Sequence, residues 1–292
     1  MFTTILLTNP GTAAPLAPEM VTALRNAWGG SDLRWLAPGE AVEFDMLETP
    51  SNRWDVWADV QRQGVDLIVV PSVGRRKKML LADMDSTMIQ QECIDELADE
   101  AGVGERVKDI TARAMNGELD FDDALRERVG LLRGLDAGVI DHVLRTRISY
   151  MPGGRTLLST MKGDDAHAVL VSGGFTAFTA QVAAHLGFDE NRANTLMIEA
   201  GKLTGKVGMP ILGRQAKVDA LEQITKRLGI AETDVIAVGD GANDLGMLTR
   251  AGLGVALHAK PSVAAKCDVR INFGDLMALL YIQGYSKADF IA

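Results

Sequence analysis

Two short apolar runs in this chain stop abruptly at carboxylates. Met79-Leu80-Leu81-Ala82 leads into Asp83-Met84-Asp85-Ser86-Thr87, and Val235-Ile236-Ala237-Val238 leads into Gly239-Asp240-Gly241-Ala242-Asn243-Asp244. In open α/β sheets, ligands bind at the carboxyl ends of parallel strands. The two runs therefore call for a fold that places their ends side by side, with four acidic groups around one crevice. Carboxylates a few ångströms apart raise one another's pKa. A hard cation among the oxygens, Mg2+, is the simplest remedy.

From Lys78 onward, apolar strands at 79–82, 167–171, 235–238, 253–257 and 268–272 alternate with amphipathic helical patterns such as 175–186 and 214–228. This alternation predicts an α/β fold with a doubly wound parallel sheet. The segment between the first two strands has helical periodicity and is too long for an ordinary crossover. It is expected to form a helical cap over about 90–153, inserted after the first core strand. Residues 202–207 read as a small inserted hairpin. The first 74 residues stand apart, because Trp28, Trp35, Trp54 and Trp57 are the only tryptophans of the chain. Strands at 3–7, 32–36, 41–46 and 65–70 with helices at 17–29 and 51–63 give the order βαββαβ, the split-βαβ pattern of α+β domains. The expected division is an N-terminal domain, 1–74, and a catalytic domain, 75–292. The N-terminal pattern resembles the small amino-acid-sensing domains of the ACT type, although fold analogy alone does not give function.

The chain of 292 residues, 47% hydrophobic, suits about two packed domains. A formal net charge of -9 lacks the basic footprint of a nucleic-acid binder. The one strong basic block, Arg75-Arg76-Lys77-Lys78, reads as a solvated linker. Cys93 and Cys267 suggest no disulfide framework and are expected to be buried thiols. No apolar stretch reaches a membrane span, and Met1-Phe2-Thr3-Thr4 lacks the start of a signal peptide. A reducing cytoplasm is the expected compartment. His142, His167, His185 and His258 have no metal-ligand spacing, so they read as ordinary histidines and zinc has no obvious home.

Alternate residues of an extended chain project to one side, so Asp83 and Asp85 aim at the same crevice. One can attack phosphorus and form an aspartyl phosphate. The other can protonate the leaving oxygen and then deprotonate the attacking water. The alternative is that Asp-x-Asp-x-Thr caps the next helix. Asp240 can complete a magnesium site, with Asp244 holding a ligand or water behind it. Asn243 offers an amide to a phosphate oxygen, and capping is again the alternative. Ala242 excludes an EF-hand, and Asp244 excludes a dinucleotide fingerprint. In Val171-Ser172-Gly173-Gly174-Phe175, Ser172 ends a strand and the glycines let backbone amides approach an anion at the start of the helix from Phe175; the alternative is a serine N-cap with a glycine turn. No Walker-type lysine follows. On a helix over 121–133, Arg128 falls within the apolar arc of Phe121, Ala124, Leu125, Val129 and Leu132. Its planar fork suits a substrate carboxylate, or equally an internal ion pair. Glu92 and Lys217 carry weaker signals of their own.

Together these motifs resemble the haloacid dehalogenase superfamily, over about residues 77–285. Asp83 to Thr87 looks like its first motif, Ser172 to Phe175 its second, Lys217 its third and Gly239 to Asp244 its fourth. Gln91 to Glu96 and Phe121 to Arg128 are similar to the phosphoserine-specific phosphatase branch. The resemblance implies hydrolysis of O-phospho-L-serine to L-serine and phosphate, the last step of serine biosynthesis. It implies Asp83 as nucleophile, Asp85 as acid and base, and Mg2+ held by Asp83, Asp240 and the backbone carbonyl of Asp85. Ser172, Gly173, Lys217 and Asn243 would contact the phosphoryl group, Glu92 the substrate ammonium and Arg128 its carboxylate. Two alternatives stand: a phosphatase or phosphotransferase of another small phosphomonoester, or an amino-acid-sensing regulatory protein. The expected partner is a small phosphomonoester, with no nucleic acid and no membrane, and a homodimer through the N-terminal domain is left open.

Overall fold

A computed structural model of the chain describes residues 1–11, 15–115 and 118–292. The N-terminal unit runs β1 (Phe2–Leu7), α1 (Pro18–Ala27), β2 (Arg34–Ala37), β3 (Ala41–Met46), α2 (Arg53–Gln61) and β4 (Asp66–Pro71). Its antiparallel sheet has the order β2-β3-β1-β4. Period-two alternation buries both faces. Leu6, Val42, Phe44, Leu67 and Val69 pack beneath the unit's own helices. Ile5, Leu7, Ala41, Ile68 and Val70 join the core of the rest of the chain.

The second sheet is six-stranded and parallel, in the order β12-β11-β10-β5-β6-β7. Its first strand, β5 (Met79–Ala82), lies at the centre. Among the described residues four helices follow it, α3 (Cys93–Glu100), α4 (Gly104–Met115), α5 (Phe121–Gly130) and α6 (Gly138–Thr146), before α7 (Gly154–Gly163) returns the chain to β6 (His167–Phe175). Helix α8 (Thr176–Leu186) leads to β7 (Glu190–Asn194) at one edge. A hairpin of β8 (Leu196–Glu199) and β9 (Lys202–Val207) comes next, so residues 202–207 are one arm of the expected hairpin and not the whole of it. Gly134 and Leu203 bond the hairpin to the helical insertion. Helix α9 (Arg214–Leu228) then feeds β10 (Val235–Gly239) on the other side of β5. The chain ends through α10 (Leu245–Leu248), β11 (Leu253–Leu257), α11 (Pro261–Ala264), β12 (Val269–Ile271) and α12 (Ala278–Ile282).

Alternation sets the two faces of this sheet. Leu80, Ala82, Ala168, Leu170, Ile236 and Val238 pack with α7, α8, α12 and the helical insertion. Met79, Leu81, Val169, Val171, Val235 and Ala237 pack with α9 and α10. Because the chain leaves β5 to opposite sides, strand order reverses there, and the crevice opens beside the carboxyl ends of β5, β6 and β10.

The basic block departs from the expected solvated linker. Arg75 is buried: its guanidinium bonds Glu43 at 2.7 Å and the carbonyls of Ile282 and Tyr281. Arg76 stacks on Tyr285, Lys77 reaches the carbonyl of Thr233, and Lys78 pairs with Asp234. A buried guanidinium needs a carboxylate partner, and Glu43 of the N-terminal sheet supplies it. Cys93 and Cys267 are free and buried.

Candidate active site

Asp83 begins the loop after β5, and its N–H donates to the carbonyl of Val238 at 3.0 Å, which ties the ends of β5 and β10 together. Side-chain oxygens of Asp83, Asp240 and Asp244 consequently lie within 4.8 Å of one another. All three residues are buried. Lys217, from the first turns of α9, is 1% exposed and bonds Asp83 Oδ1 at 2.7 Å and Asp244 Oδ1. Burial works against the ammonium, yet the two carboxylates outweigh it and hold Lys217 above its ordinary pKa. The carboxylates are also raised, which for them favours the neutral form. Burial, then the charge of Asp244, pushes Asp83 well above the usual range against the pull of Lys217. The same two causes raise Asp240 to about 6. One ammonium does not neutralise three buried carboxylates. The donor set is all hard oxygen, and a divalent cation of the Mg2+ type fits it by charge and by chemistry.

The carboxylate of Asp85 is held by other partners. Its Oδ1 accepts the N–H of Cys93 at 2.8 Å, at the start of α3, and its Oδ2 accepts the hydroxyl of Ser172 at 3.1 Å. Burial raises its pKa against these donors, which favours the protonated form that an acid requires. Ser172 does not end its strand as expected. Strand β6 continues to Phe175, and its pairing with β7 breaks after Val171 and resumes at Phe175. Ser172, Gly173 and Gly174 bulge within that break. A Cβ on Gly174 would sit 2.7 Å from Asp85 Oδ2, and one on Gly239 would sit 2.4 Å from Asp244 Cγ. Only glycine lets both carboxylates approach so closely.

Glu92 lies at the N-terminus of α3, and Ser86, held at φ +54°, donates its hydroxyl to Glu92 Oε1 at 2.8 Å. Glu92 is solvent-exposed as a residue, but the protein atoms crowded around its carboxylate, then the charge of Asp85, raise it to about 7. A raised pKa beside like charges marks Glu92 as a candidate functional group. Arg128 projects from α5, half-buried, with Nε on the carbonyl of Ala124 at 3.2 Å. Among the described residues no carboxylate pairs with its terminal nitrogens, although Asp95 and Glu92 act on it through space. The internal ion pair weighed for Arg128 is absent, and its fork is available to a ligand. Asn243 is half-buried between Asp240 and Asp244 and has no hydrogen-bond partner among the described residues.

Two contributors escaped the sequence reading. Phe121, expected only as part of an apolar arc, lies over the second motif: a Cβ on Gly173 would meet its ring at 3.1 Å, and one on Gly213 at 3.0 Å. Ser86 holds Glu92, and its place within the first motif was the available signal. Asp244, expected behind the metal ligands, contributes an oxygen to the cluster itself, with its two oxygens bonded to Lys217 and to the N–H of Gly241.

Residues 80–249 match the haloacid dehalogenase-like hydrolase family. A phosphoserine phosphatase of Streptomyces coelicolor is 41% identical over 256 residues, which are 86% of this chain and 62% of that protein. The chain thus spans under two thirds of that relative's length. A haloacid dehalogenase-family hydrolase of Salmonella enterica serovar Typhi superposes over 96% of this chain and 98% of its own, with a TM-score of 0.85 at 30% identity. The structure of a phospho-aspartyl intermediate analogue of phosphoserine phosphatase covers 70% of this chain and 98% of its own, at 42% identity and a TM-score of 0.66.

Proposed function

The chain belongs to the haloacid dehalogenase-like hydrolase family, and from that premise we propose that it is a Mg2+-dependent phosphoserine phosphatase. The observation that carries this reading is the meeting of Asp83, Asp240 and Asp244 with Lys217 in one buried cluster, with Asp85 in the same loop as Asp83 and, on α5, an Arg128 whose terminal nitrogens have no carboxylate partner among the described residues. Similarity to phosphoserine phosphatases over most of the chain supports the choice of substrate.

Helices α3 to α6 act as the cap, which supplies the residues that select the substrate. Arg128 takes the carboxylate of phosphoserine as a bidentate partner, and Glu92, fixed by Ser86, takes its ammonium. The phosphoryl oxygens meet the Ser172–Gly174 bulge, Lys217 and the amide of Asn243. Asp83, Asp240 and the backbone carbonyl of Asp85 would hold Mg2+, with Asp244 alongside. When bound, the cation supplies neutralising charge to the cluster and to the transferring group. An oxygen of Asp83 attacks phosphorus, the bond to the serine oxygen breaks, and protonated Asp85 gives that oxygen its proton. Serine leaves. Asp85, now a carboxylate, takes a proton from water as the water oxygen bonds to phosphorus and the Asp83–phosphorus bond breaks. Charge placement and positioning supply most of the rate gain.

The reading extends to serine biosynthesis in the cytoplasm, with the N-terminal βαββαβ unit as an ACT-type domain. The test is phosphate release from a panel of phosphorylated metabolites with Mg2+ present. Phosphoserine is expected to be the preferred substrate, and preference for another phosphomonoester would overturn the proposal. Asp83→Asn is expected to lower turnover by roughly 10⁴-fold, and near-normal turnover would remove the covalent route.

A further inference from the structure

The carboxyl edge of the parallel sheet carries three loops in a row, after β12, β11 and β10, and each is bonded to the next. Asp240, in the loop after β10, accepts the N–H of Lys260 on its peptide carbonyl at 3.3 Å. Lys260 stands two residues beyond His258, which holds φ +45° in the loop after β11. His258 is pinned at both ends: its N–H donates to the carbonyl of Ile271 at 2.8 Å, and its ring Nε2 donates to the carbonyl of Gly274 at 2.8 Å. A carbonyl only accepts, so this contact assigns the proton to Nε2. Gly274 lies in the loop after β12, and that loop rests on the N-terminal unit.

The contact there is specific. Asp66, the first residue of β4, is fully buried, and its carboxylate accepts three consecutive backbone N–H groups, from Asn272 at 2.9 Å, Phe273 at 3.0 Å and Gly274 at 2.8 Å. Successive N–H groups that converge on one anion form a backbone nest. Asn272 also donates to Gln61 of α2 at 2.6 Å, and a Cβ on Gly274 would lie 2.7 Å from Leu7 of β1. The loop has no room to slide. A buried carboxylate is costly unless its oxygens are bonded, so the nest keeps the loop on Asp66 and Asp66 keeps the loop's shape.

The geometry points to Asp66 as a positioning residue for Asp240. Through the 272–274 nest, His258 and the Lys260 N–H, the N-terminal unit holds the backbone of a metal ligand in the catalytic crevice and so sets that crevice's affinity for Mg2+. This rests on the reading of Asp240 as a Mg2+ ligand. The role differs from tethering two units, because the chain of bonds ends on the peptide of a residue whose carboxylate joins the acidic cluster. Groups that orient metal ligands from behind change affinity without touching the ion.

The experiment is calorimetric titration of the full-length protein with Mg2+ alone, repeated on four variants. Asp66→Asn and His258→Ala are each expected to weaken Mg2+ binding roughly three- to tenfold, with activity lost at limiting Mg2+ recovered by raising its concentration. Arg53→Ala breaks the 2.7 Å bridge to Asp268 between the same two units, away from the nest, and is expected to leave Mg2+ affinity as it was. Asp240→Asn is expected to abolish binding. Affinity within twofold of the parent in His258→Ala, whose exposed side chain can change without unfolding the core, would overturn the proposal even if Asp66→Asn failed to fold. So would an equal loss in Arg53→Ala, which would mean general loosening. Undiminished binding by Asp240→Asn would instead refute the metal reading, and the proposal with it.

Discussion

Replacing Arg128 with alanine separates recognition of phosphoserine from the chemistry at phosphorus. The guanidinium sits half-buried on α5, spends Nε on the Ala124 carbonyl and has no carboxylate partner among the described residues. Its removal therefore strands no buried anion, and the stability cost is expected to stay below about 1 kcal/mol. A substrate carboxylate loses far more. Hydrogen bonds to charged groups are worth about 1.5–3 kcal/mol, so kcat/KM for phosphoserine is expected to fall roughly 10- to 150-fold. Arg128→Lys restores the charge without the planar fork and is expected to recover only part of the loss. The assay compares kcat/KM on phosphoserine with that on an aryl phosphate, which carries no amino-acid carboxylate. The aryl phosphate is expected to lose little. Equal losses on both substrates would make Arg128 a structural residue of the cap and refute the assignment.

Glu92, raised to about 7, holds an ammonium only when ionised. The ratio of kcat/KM for phosphoserine to that for an aryl phosphate is thus expected to fall as pH drops through about 7, and a ratio flat across that range would remove Glu92 from recognition. Burial raises Asp275 to about 6, while its Oδ1 accepts the N–H of Met277 at 2.8 Å. A carboxyl with a higher pKa folded than unfolded takes up a proton on folding, so stability is lost as pH rises from about 4 to about 6. Asp275→Asn keeps the acceptor and is expected to gain about 1–3 kcal/mol at pH 8 and nothing near pH 4 by urea unfolding; the same gain at both would contradict this. Chelation of divalent ions is expected to abolish turnover, and Mg2+ but not Ca2+ to restore it, because Ca2+ seeks more oxygens at longer distances. Full activity in Ca2+ would refute that ordering.

Much of the fold was legible because strands and helices declare themselves through local periodicity. Five of the six core strands follow from short apolar runs, each with its alternate residues sorted to opposite faces. The sixth, β7, is Glu-Asn-Arg-Ala-Asn, and no apolar pattern betrays it. It is a strand because Val169, Leu170 and Val171 of β6 pair with it. The basic block hides its burial for a related reason. Arg75 looks solvated in any window of the sequence, and only the packing of Glu43 and the end of α12 around it makes it a buried joint.

The chemistry divides along the same line. The motifs identify the groups able to transfer a phosphoryl group, since each residue type and its place at a strand end can be read from a few neighbours. Convergence belongs to the tertiary structure alone. That Lys217 bridges Asp83 and Asp244, that Asp244 joins the acidic cluster, and that Ser172 spends its hydroxyl on Asp85 depend on loops distant in the chain meeting at one sheet edge. The physical reason is range. Periodicity and turn chemistry act over a few residues, whereas burial and the electrostatics of a shared crevice act only once strands far apart in sequence lie side by side.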